Sequence, residues 1–412
     1  MKNKKITILG GAGHIGLPLS IVFANKGFDV SILDNNKENL SLAKKGIMPF
    51  KEKDGEKNLK KALKRKLKFY SQPSNFISGS TIIITVGTPV DEFLNPDMSQ
   101  IKNCIDGLIP FLKNGQLIIL RSTVYPGTSE WLFNYLNKKK KCHVAFCHER
   151  VIQGYTFDEI EKLPQIIAAS SKLAQKKATE IFDKISKKIV YCSLKEAEYS
   201  KLFSNAFRYS QFAVANEFYM LADRAGLNFN KIRQITKQGY PRAEGLPSAG
   251  FAAGPCLLKD TMQLTAFTQN QFSLGHNAML INEGIPNFIV NILKKEKNIS
   301  KKTIGILGLT FKPDIDDIRD SLSFKLIKLF NFNGFKYLVS DEFYNHNENI
   351  SKENLIKNSN IIILAVPHSN YKKCKIPKAK KIIDIWKRFV NDLYIKEINE
   401  GNMDFFLNKD YK

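Results

Sequence analysis

Apolar positions cluster in short branched runs separated by turn-rich stretches. Residues 6–9, 29–33, 81–86, 117–120 and 144–147 are such runs, each closed by glycine, proline or charged residues. Brief, nearly uniform apolar runs with this punctuation predict strands buried on both faces, as in a parallel sheet. An amphipathic stretch, residues 17–26, separates the first two, and the lysine-rich span 51–68 reads as a solvated helix and loop. A second set of runs begins at residue 302 and continues at 337–339, 361–366 and 381–383. Between the two sets the period changes. Residues 195–225 are apolar on almost every helical face, with Gly226 as the stop, and residues 228–298 continue as helix around one small-residue loop.

This order predicts an α/β chain with two doubly wound (Rossmann-like) domains joined by a long central helix and an all-helical middle domain. The expected boundaries are 1–194, 195–299 for the helical and dimerising part, and 300–412. The 195–225 helix, apolar nearly all round, must be buried on most faces, either as a spine between domains or at a subunit interface.

The first turn is the most informative. Gly11-Ala12-Gly13-His14-Ile15-Gly16 follows the first strand and opens a helix, and Asp34 ends the second strand. Strand, GxGxxG, helix, strand and acid in that order form a dinucleotide-binding pattern. Gly11 is expected to make the tight turn, Gly13 to admit the pyrophosphate and Gly16 to let helix and strand pack, with His14 and Ile15 inside the turn. A carboxylate at Asp34 accepts hydrogen bonds from a ribose and repels a 2'-phosphate, favouring NAD over NADP. The later strands end at Thr88, Thr123 and Glu149. Ligands collect at the carboxyl ends of parallel strands, so these three point to one crevice, although Thr88 and Thr123 also suit ordinary turn chemistry.

Residues 250–260, GFAAGPCLLKD, form the small-residue loop. Glycines and alanines let backbone approach a ligand, and a thiol such as Cys256 becomes a nucleophile where nearby cations favour the thiolate. A buried structural cysteine fits the same residues. Lys201 and Asn205, four apart, share one face of the long helix. A lysine in that apolar setting snorkels, or an anionic partner or a catalytic role offsets the cost of burying it. The second doubly wound domain lacks GxGxxG and is expected to bind something other than a dinucleotide pyrophosphate. Its first turn, residues 311–321, is dense in charge.

Composition narrows the picture. The 412 residues are 43% hydrophobic and 25% charged, a globular balance sufficient for two or three domains. Six cysteines without CxxC spacing argue against disulfides and structural zinc, and no metal site is expected. No apolar run nears membrane-spanning length, and the start lacks a signal-peptide pattern, which predicts a cytoplasmic protein with no membrane partner. The net charge of +24 is spread along the chain rather than interleaved with aromatics. It suits anionic small molecules better than nucleic acid.

The chain resembles the UDP-glucose/GDP-mannose dehydrogenase family, enzymes that oxidise a nucleotide sugar at C6. The resemblance spans nearly its full length. GAGHIG, VGTP (86–89), RSTVYPGT (121–128), EAEYSKLFSNAF (196–207), GFAAGPCLLKD and GLTFKPDIDDIRDS (308–321) fall in the family's order. The resemblance implies that Cys256 traps the aldehyde as a thiohemiacetal between two oxidations and carries the thioester. It implies that Lys201 and Asn205 stabilise oxyanions, that Asp260 with Thr123 holds water, and that Glu149 is the base for hydrolysis. Thr88, Thr123, Lys259 and Arg319 would join the glycine turn and Asp34 in holding NAD. Glu149, Arg150, Lys201, Asn205, Arg242, Gly250, Phe251, Gly254, Phe311 and Lys312 would hold the sugar nucleotide.

Some residues depart from the family pattern. The Glu149 segment reads HERVIQG, so Gln153 stands where the family's second glutamate is common, and Trp386-Lys387-Arg388 follows Asp384 where an arginine is expected. The ERV..G form and Pro241-Arg242 resemble the UDP-N-acetylhexosamine branch. The cysteine loop departs from that branch's glycine-rich form. The implied activity is four-electron oxidation of UDP-N-acetylmannosamine or UDP-N-acetylglucosamine by a homodimer or higher homo-oligomer. UDP-glucose or GDP-mannose oxidation, or an NAD-binding scaffold without catalysis, are the alternatives.

Overall fold

The computed structural model describes residues 5–74, 77, 81–91, 95–344 and 348–386, so Lys387 and Arg388 lie outside the described residues. Two compact units emerge from the packing. The first comprises Met1–Ser210, Gly254–Leu280 and Ile315–Asp317, and the second Gln211–Ala253, Ile281–Asp314 and Ile318–Lys412.

The first unit opens with β1 (Lys5–Leu9), α1 (Gly16–Asn25), β2 (Asp29–Leu33), α2 (Lys37–Lys44), α3 (Gly55–Leu63) and β3 (Leu67–Tyr70). It continues through β4 (Thr81–Ile84), α4 (Ser99–Leu108), β5 (Leu117–Leu120), α5 (Thr128–Asn137) and β6 (His143–Phe146). After α6 (Thr156–Glu159), β7 (Gln165–Ala169), α7 (Lys172–Phe182) and β8 (Ile189–Cys192), the chain enters the 31-residue α8 (Leu194–Arg224). The eight strands lie in the order β3-β2-β1-β4-β5-β6-β7-β8, and all neighbours are parallel except β6 and β7. Strand order reverses between β1 and β4, which opens a crevice at the carboxyl edge. The fully buried strands are those the apolar runs predict. Edge strands β3 and β8 are half exposed, and neither is among the predicted runs, although β8 reads Ile-Val-Tyr-Cys. β3 emerges from the lysine-rich span, whose helix α3 still buries Leu59 and Ala62.

Helix α1 differs from expectation. Every residue from Gly16 to Ala24 is buried, so it has no polar face. Phe23 packs edge-on against Phe28 and lies 5.9 Å from Phe182. A helix covered on all sides needs no amphipathic stripe.

The second unit takes the distal part of α8, then α9 (Phe229–Lys237). α10 (Leu257–Phe267), in the first unit, and α11 (Ser273–Lys294) follow the cysteine loop. Then come β9 (Thr303–Leu307), α12 (Leu322–Phe332), β10 (Lys336–Ser340), α13 (Lys352–Asn358), β11 (Ile361–Leu364) and β12 (Lys381–Ile383). Its sheet is parallel throughout, in the order β10-β9-β11-β12. Ala215, Tyr219, Ile285 and Ile289 join Ile304, Ile306 and Ile363 in its core.

The long helix is not buried on most faces of the single chain. Ala197, Leu202, Ala206, Tyr209, Ala215 and Tyr219 are buried, whereas Phe203, Phe207, Val214, Phe218 and Leu221 are each more than 40% exposed.

Candidate active site

The glycine turn follows β1 directly. The left-handed residue is Gly10 (φ +71°), one position before the glycine expected to make the turn. Thr85, just past β4, donates its hydroxyl to Leu9 O (2.7 Å) and lies 3.0 Å from Gly10 O, so the neighbouring strand fixes the turn. A Cβ on Gly16 would stand 2.2 Å from Gly10 O and 2.6 Å from Gly11 Cα, so only glycine lets α1 pack there. Gly13 is different. Its nearest neighbour to an added Cβ is Gly10 O at 3.4 Å, which leaves open space on that side. Asp34 accepts from Ala12 N and Asn36 N, both at 2.9 Å. A carboxylate oxygen has further lone pairs, so it can still take a ribose hydroxyl. An open glycine before a helix N-terminus and an acid at the next strand's end fit a dinucleotide. His14 and Ile15 lie inside this turn, half buried.

The thiol stands at the start of α10. Cys256 is the helix N-cap and is exposed, and Asp260 N closes the first helical bond to Cys256 O at 2.9 Å. The partial positive charge of a helix N-terminus favours an anion at that position. One turn on, the fully buried Asp260 accepts from Asn205 Nδ2 of α8 and pairs with Lys259 Nζ at 2.7 Å. Lys259 Nζ also donates to Thr88 Oγ1 (3.3 Å), and Thr88 Oγ1 donates to Thr123 O (2.6 Å). Gln263 Nε2 holds Thr88 O at 3.3 Å. Cys256, Asp260, Lys259, Asn205, Thr88 and Thr123 are thus brought together, with Lys259 engaged by a carboxylate and a threonine. Lys201, one turn before Asn205, is half buried and makes no ion pair among the described residues.

Glu149, after β6, is built into a charge pair. Arg121 Nη2 donates to Glu149 Oε2, while Glu149 Oε1 accepts from Arg150 N (2.7 Å) and Val151 N (3.1 Å). Arg121 is itself buried, donates to Cys147 O and Gln165 Oε1, and lies 5.1 Å from the Phe182 ring centre. Removing Glu149 would strand a buried guanidinium. The adjacent His148 is buried, with Nε2 3.3 Å from Ser200 Oγ of α8. Burial pushes its pKa down to about 3, helped by Lys201, Arg150 and Arg121. The imidazole is therefore neutral beside Lys201.

Two first-unit residues went unremarked in the sequence although both lie in quoted motifs. Arg121 is the first residue after β5. Glu198, buried on α8, accepts from Gly127 N (2.7 Å) and Ser129 N (2.8 Å) and so caps α5 from another helix. That cap ties Lys201 and Asn205 to the turn bearing Thr123. Only their burial could have marked them, and no local spacing reports it.

The remaining predicted residues belong to the second unit, apart from Arg150, whose Nη2 donates to Pro164 O, and the buried Gly254 (φ +102°). Gly250 N donates to Asn216 Oδ1 (2.8 Å), and a Cβ there would fall 2.4 Å from the Trp386 ring. Phe251 is buried in the second core. Phe311 and Lys312 are half buried and Arg319 is exposed. Arg242 is exposed, with its guanidinium 4.7 Å from the Tyr240 ring centre. Among the described residues no His/Cys/Asp/Glu group could hold a metal, and no helix is long and apolar enough to cross a membrane.

Three models of one family match in order: the UDP-glucose/GDP-mannose dehydrogenase NAD-binding domain over residues 4–186, its central domain over 195–284 and its UDP-binding domain over 305–395. The UDP-N-acetyl-D-mannosamine dehydrogenase of Methanocaldococcus jannaschii is 31% identical over 382 residues, covering 90% of this chain and 87% of that protein. The solved UDP-D-ManNAc dehydrogenase of Pyrococcus horikoshii superposes with a TM-score of 0.86 at 29% identity, covering 92% and 94% of the two chains. A UDP-glucose dehydrogenase from Pyrobaculum islandicum, 22% identical with a TM-score of 0.84 over 93% and 94%, shares the fold.

Proposed function

Because this chain belongs to the UDP-glucose/GDP-mannose dehydrogenase family, we propose that it oxidises a UDP-N-acetylhexosamine at C6 to the uronic acid, UDP-N-acetylmannosamine first among the candidates. NAD is the cofactor, and when bound it accepts the hydride removed from the sugar, two equivalents taking up the four electrons. Gly11, Gly13, Gly16 and Asp34 would hold it, with Thr88, Thr123 and the exposed Arg319 contributing.

The observation that carries the reading is the thiol of Cys256 at the start of α10, one turn from a buried Asp260 held by Asn205. The Cys256 sulfur bonds to the aldehyde carbon formed by the first oxidation, and the carbonyl oxygen takes up a proton. Oxidation of that thiohemiacetal leaves a thioester. Water then attacks it, releasing carboxylate and the Cys256 thiol. Lys201, without a carboxylate partner among the described residues, and Asn205 stabilise the oxyanions at C6. Asp260 and Thr123 hold the water, and Glu149 takes its proton. Lys259, paired with Asp260, is placed better to orient that acid than to grip phosphate. The sugar nucleotide is taken by Arg150, Gly250, Phe251, Gly254, Phe311 and Lys312, with the segments 1–194, 195–299 and 300–412 dividing cofactor, catalytic and nucleotide-binding work.

The bare stripe of α8, Phe203, Phe207, Val214, Phe218 and Leu221, supports a homodimer across this helix, with Arg242 reaching the neighbour's substrate. NAD and nucleotide sugars are cytoplasmic, so the protein works there.

The test is an NADH-release screen with UDP-N-acetylmannosamine, UDP-N-acetylglucosamine, UDP-glucose and GDP-mannose. Two NADH per acid from an N-acetylhexosamine substrate is expected. Release of one NADH with accumulating aldehyde would exclude the thioester route. Cys256→Ser should bind NADH normally yet make no acid.

A further inference from the structure

Ile315–Asp317, in a loop of the C-terminal α/β segment, folds with the first unit while the chain on either side belongs to the second. Three segments close here on the glycine turn. Lys51 N donates to Asp316 Oδ2 (2.9 Å), and Lys53 N donates to Gly154 O (3.1 Å). Ile315 is buried, and Gly154 sits at φ +90° where a Cβ would stand 3.2 Å from Ile315 Cγ2. At the centre lies Gln153. One of its amide hydrogens goes to Asp317 Oδ2 (3.0 Å) and the other faces His14 Nδ1 (3.1 Å). With Nδ1 accepting, the imidazole proton is on Nε2, 3.6 Å from the same Asp317 oxygen. The Phe50 ring, its centre 4.1 Å from that of the imidazole, packs against His14. Asp317 is buried.

Gln153, Asp317 and Phe50 converge on His14, a side chain inside GxGxxG. We propose that Asp317 is a positioning residue for the cofactor: through Gln153 and His14 it holds the glycine turn in the shape that receives the NAD pyrophosphate. The proposal rests on the reading of that turn as the NAD site. It also explains why an amide suits position 153. A glutamate there would set a second carboxylate within hydrogen-bond distance of Asp317, where the pair needs one donor and one acceptor.

The test is equilibrium NADH binding to the full chain, followed by fluorescence, with thermal unfolding measured in parallel. Asp317→Ala should weaken binding about tenfold, the scale of one to two lost hydrogen bonds. Asp317→Asn, which keeps an acceptor oxygen, should stay within about threefold of the parent. Gln153→Glu should also weaken binding about tenfold. Combining Gln153→Glu with Asp317→Asn restores a donor and an acceptor in reversed order, and should recover most of that loss. That rescue separates positioning from a general loss of stability. Parent-like binding by Asp317→Ala and Gln153→Glu, or a double variant no better than Gln153→Glu, would overturn the proposal. Failure of the parent chain to bind NADH would instead remove the cofactor site on which it stands.

Discussion

Two sheets, one parallel throughout and the other parallel except at β6 and β7, carry two first turns with opposite fates. In the first unit, Thr85 and Leu33 secure Gly10 and Gly11, and Gly13 faces open space before α1. The first-turn N–H groups of a helix have no intrahelical partners, so they can take an anion. In the second unit the corresponding Gly308 (φ +95°) is packed tight, with Val366 Cβ 2.4 Å from where a Cβ would be. Asp341 already accepts from Leu309 N and Thr310 N, and from Phe343 N (2.7 Å) and Tyr344 N (3.0 Å). His368 Nδ1 accepts from Asp314 N, so its Nε2 donates to Asp341 at 3.0 Å. The first turn spends Gly10 N and Gly11 N on Leu33 O, Gly13 N on Gly10 O and Ala12 N on Asp34 but keeps room beside Gly13, whereas the second gives its amides to Asp341 and its room to Val366. Topology offers a crevice at both edges, and the two turns differ in the space beside their glycines, open at Gly13 and filled at Gly308.

The largest break comes from the closed turn. Asp341→Ala strands the amides and imidazole it holds and should cost about 3–5 kcal/mol of second-unit stability, while NADH affinity is unchanged. Calorimetry together with NADH titration checks both halves. Gly13→Val should behave in the opposite way, with an unfolding midpoint close to the parent and NADH affinity down about 100-fold, or roughly 2.7 kcal/mol. If Gly13→Val unfolds the protein instead, the open space beside the turn is not a ligand's.

Acid should also separate the two edges. In the first unit, His148 has its pKa depressed by burial to about 3, against about 6.5 unfolded. The unfolded state therefore binds more protons between these values, and stability falls as pH drops below about 6.5, by at most about 2 kcal/mol at pH 5. For Asp341, burial alone would raise the pKa, but the hydrogen bond from His368 and the backbone N–H groups outweigh it and hold the carboxyl below its usual value. That contribution is complete above the unfolded pKa, about 3.9, and is lost only as pH falls through the lower folded value. Thermal unfolding at pH 7.5 and pH 5 should thus show loss from the first unit's histidines, His148 and, in the same direction, the burial-lowered His143, and His148→Asn should remove the larger part. The smallest effect is expected for Thr85→Val, which removes the hydroxyl from Leu9 O and should weaken NADH about fivefold, near 1 kcal/mol.

Much of this was legible in residue order. Buried strands β1, β2, β4, β5, β6, β9 and β11 read out as apolar runs because both faces are covered. β8, also an apolar run but exposed at Val190 and Tyr191, was not among the predicted runs. The chemistry-bearing motifs were visible because each sits at a strand end or helix start, where local geometry demands glycine, threonine or acid. Arg121 and Glu198 were not, because their roles depend on partners 28 and about 70 positions away. The stripe on α8 was read as buried either between domains or at a subunit interface; the single chain leaves it bare, and hydrophobicity alone does not distinguish a face covered within the chain from one offered to a second copy.

The sequence by itself determined the two-sheet α/β plan, the glycine turn and the candidate site residues, because periodicity and turn chemistry are local properties. Tertiary structure alone decided how they are wired. It set Lys259 on Asp260 and Thr88 and gave Glu149 a buried arginine. It filled the second turn with Asp341 and brought Asp317 back to the first through Gln153. Apart from Lys259 and its neighbour Asp260, these pairings join residues far apart in the chain, and burial makes each unsatisfied donor or charge costly enough to hold the arrangement in place.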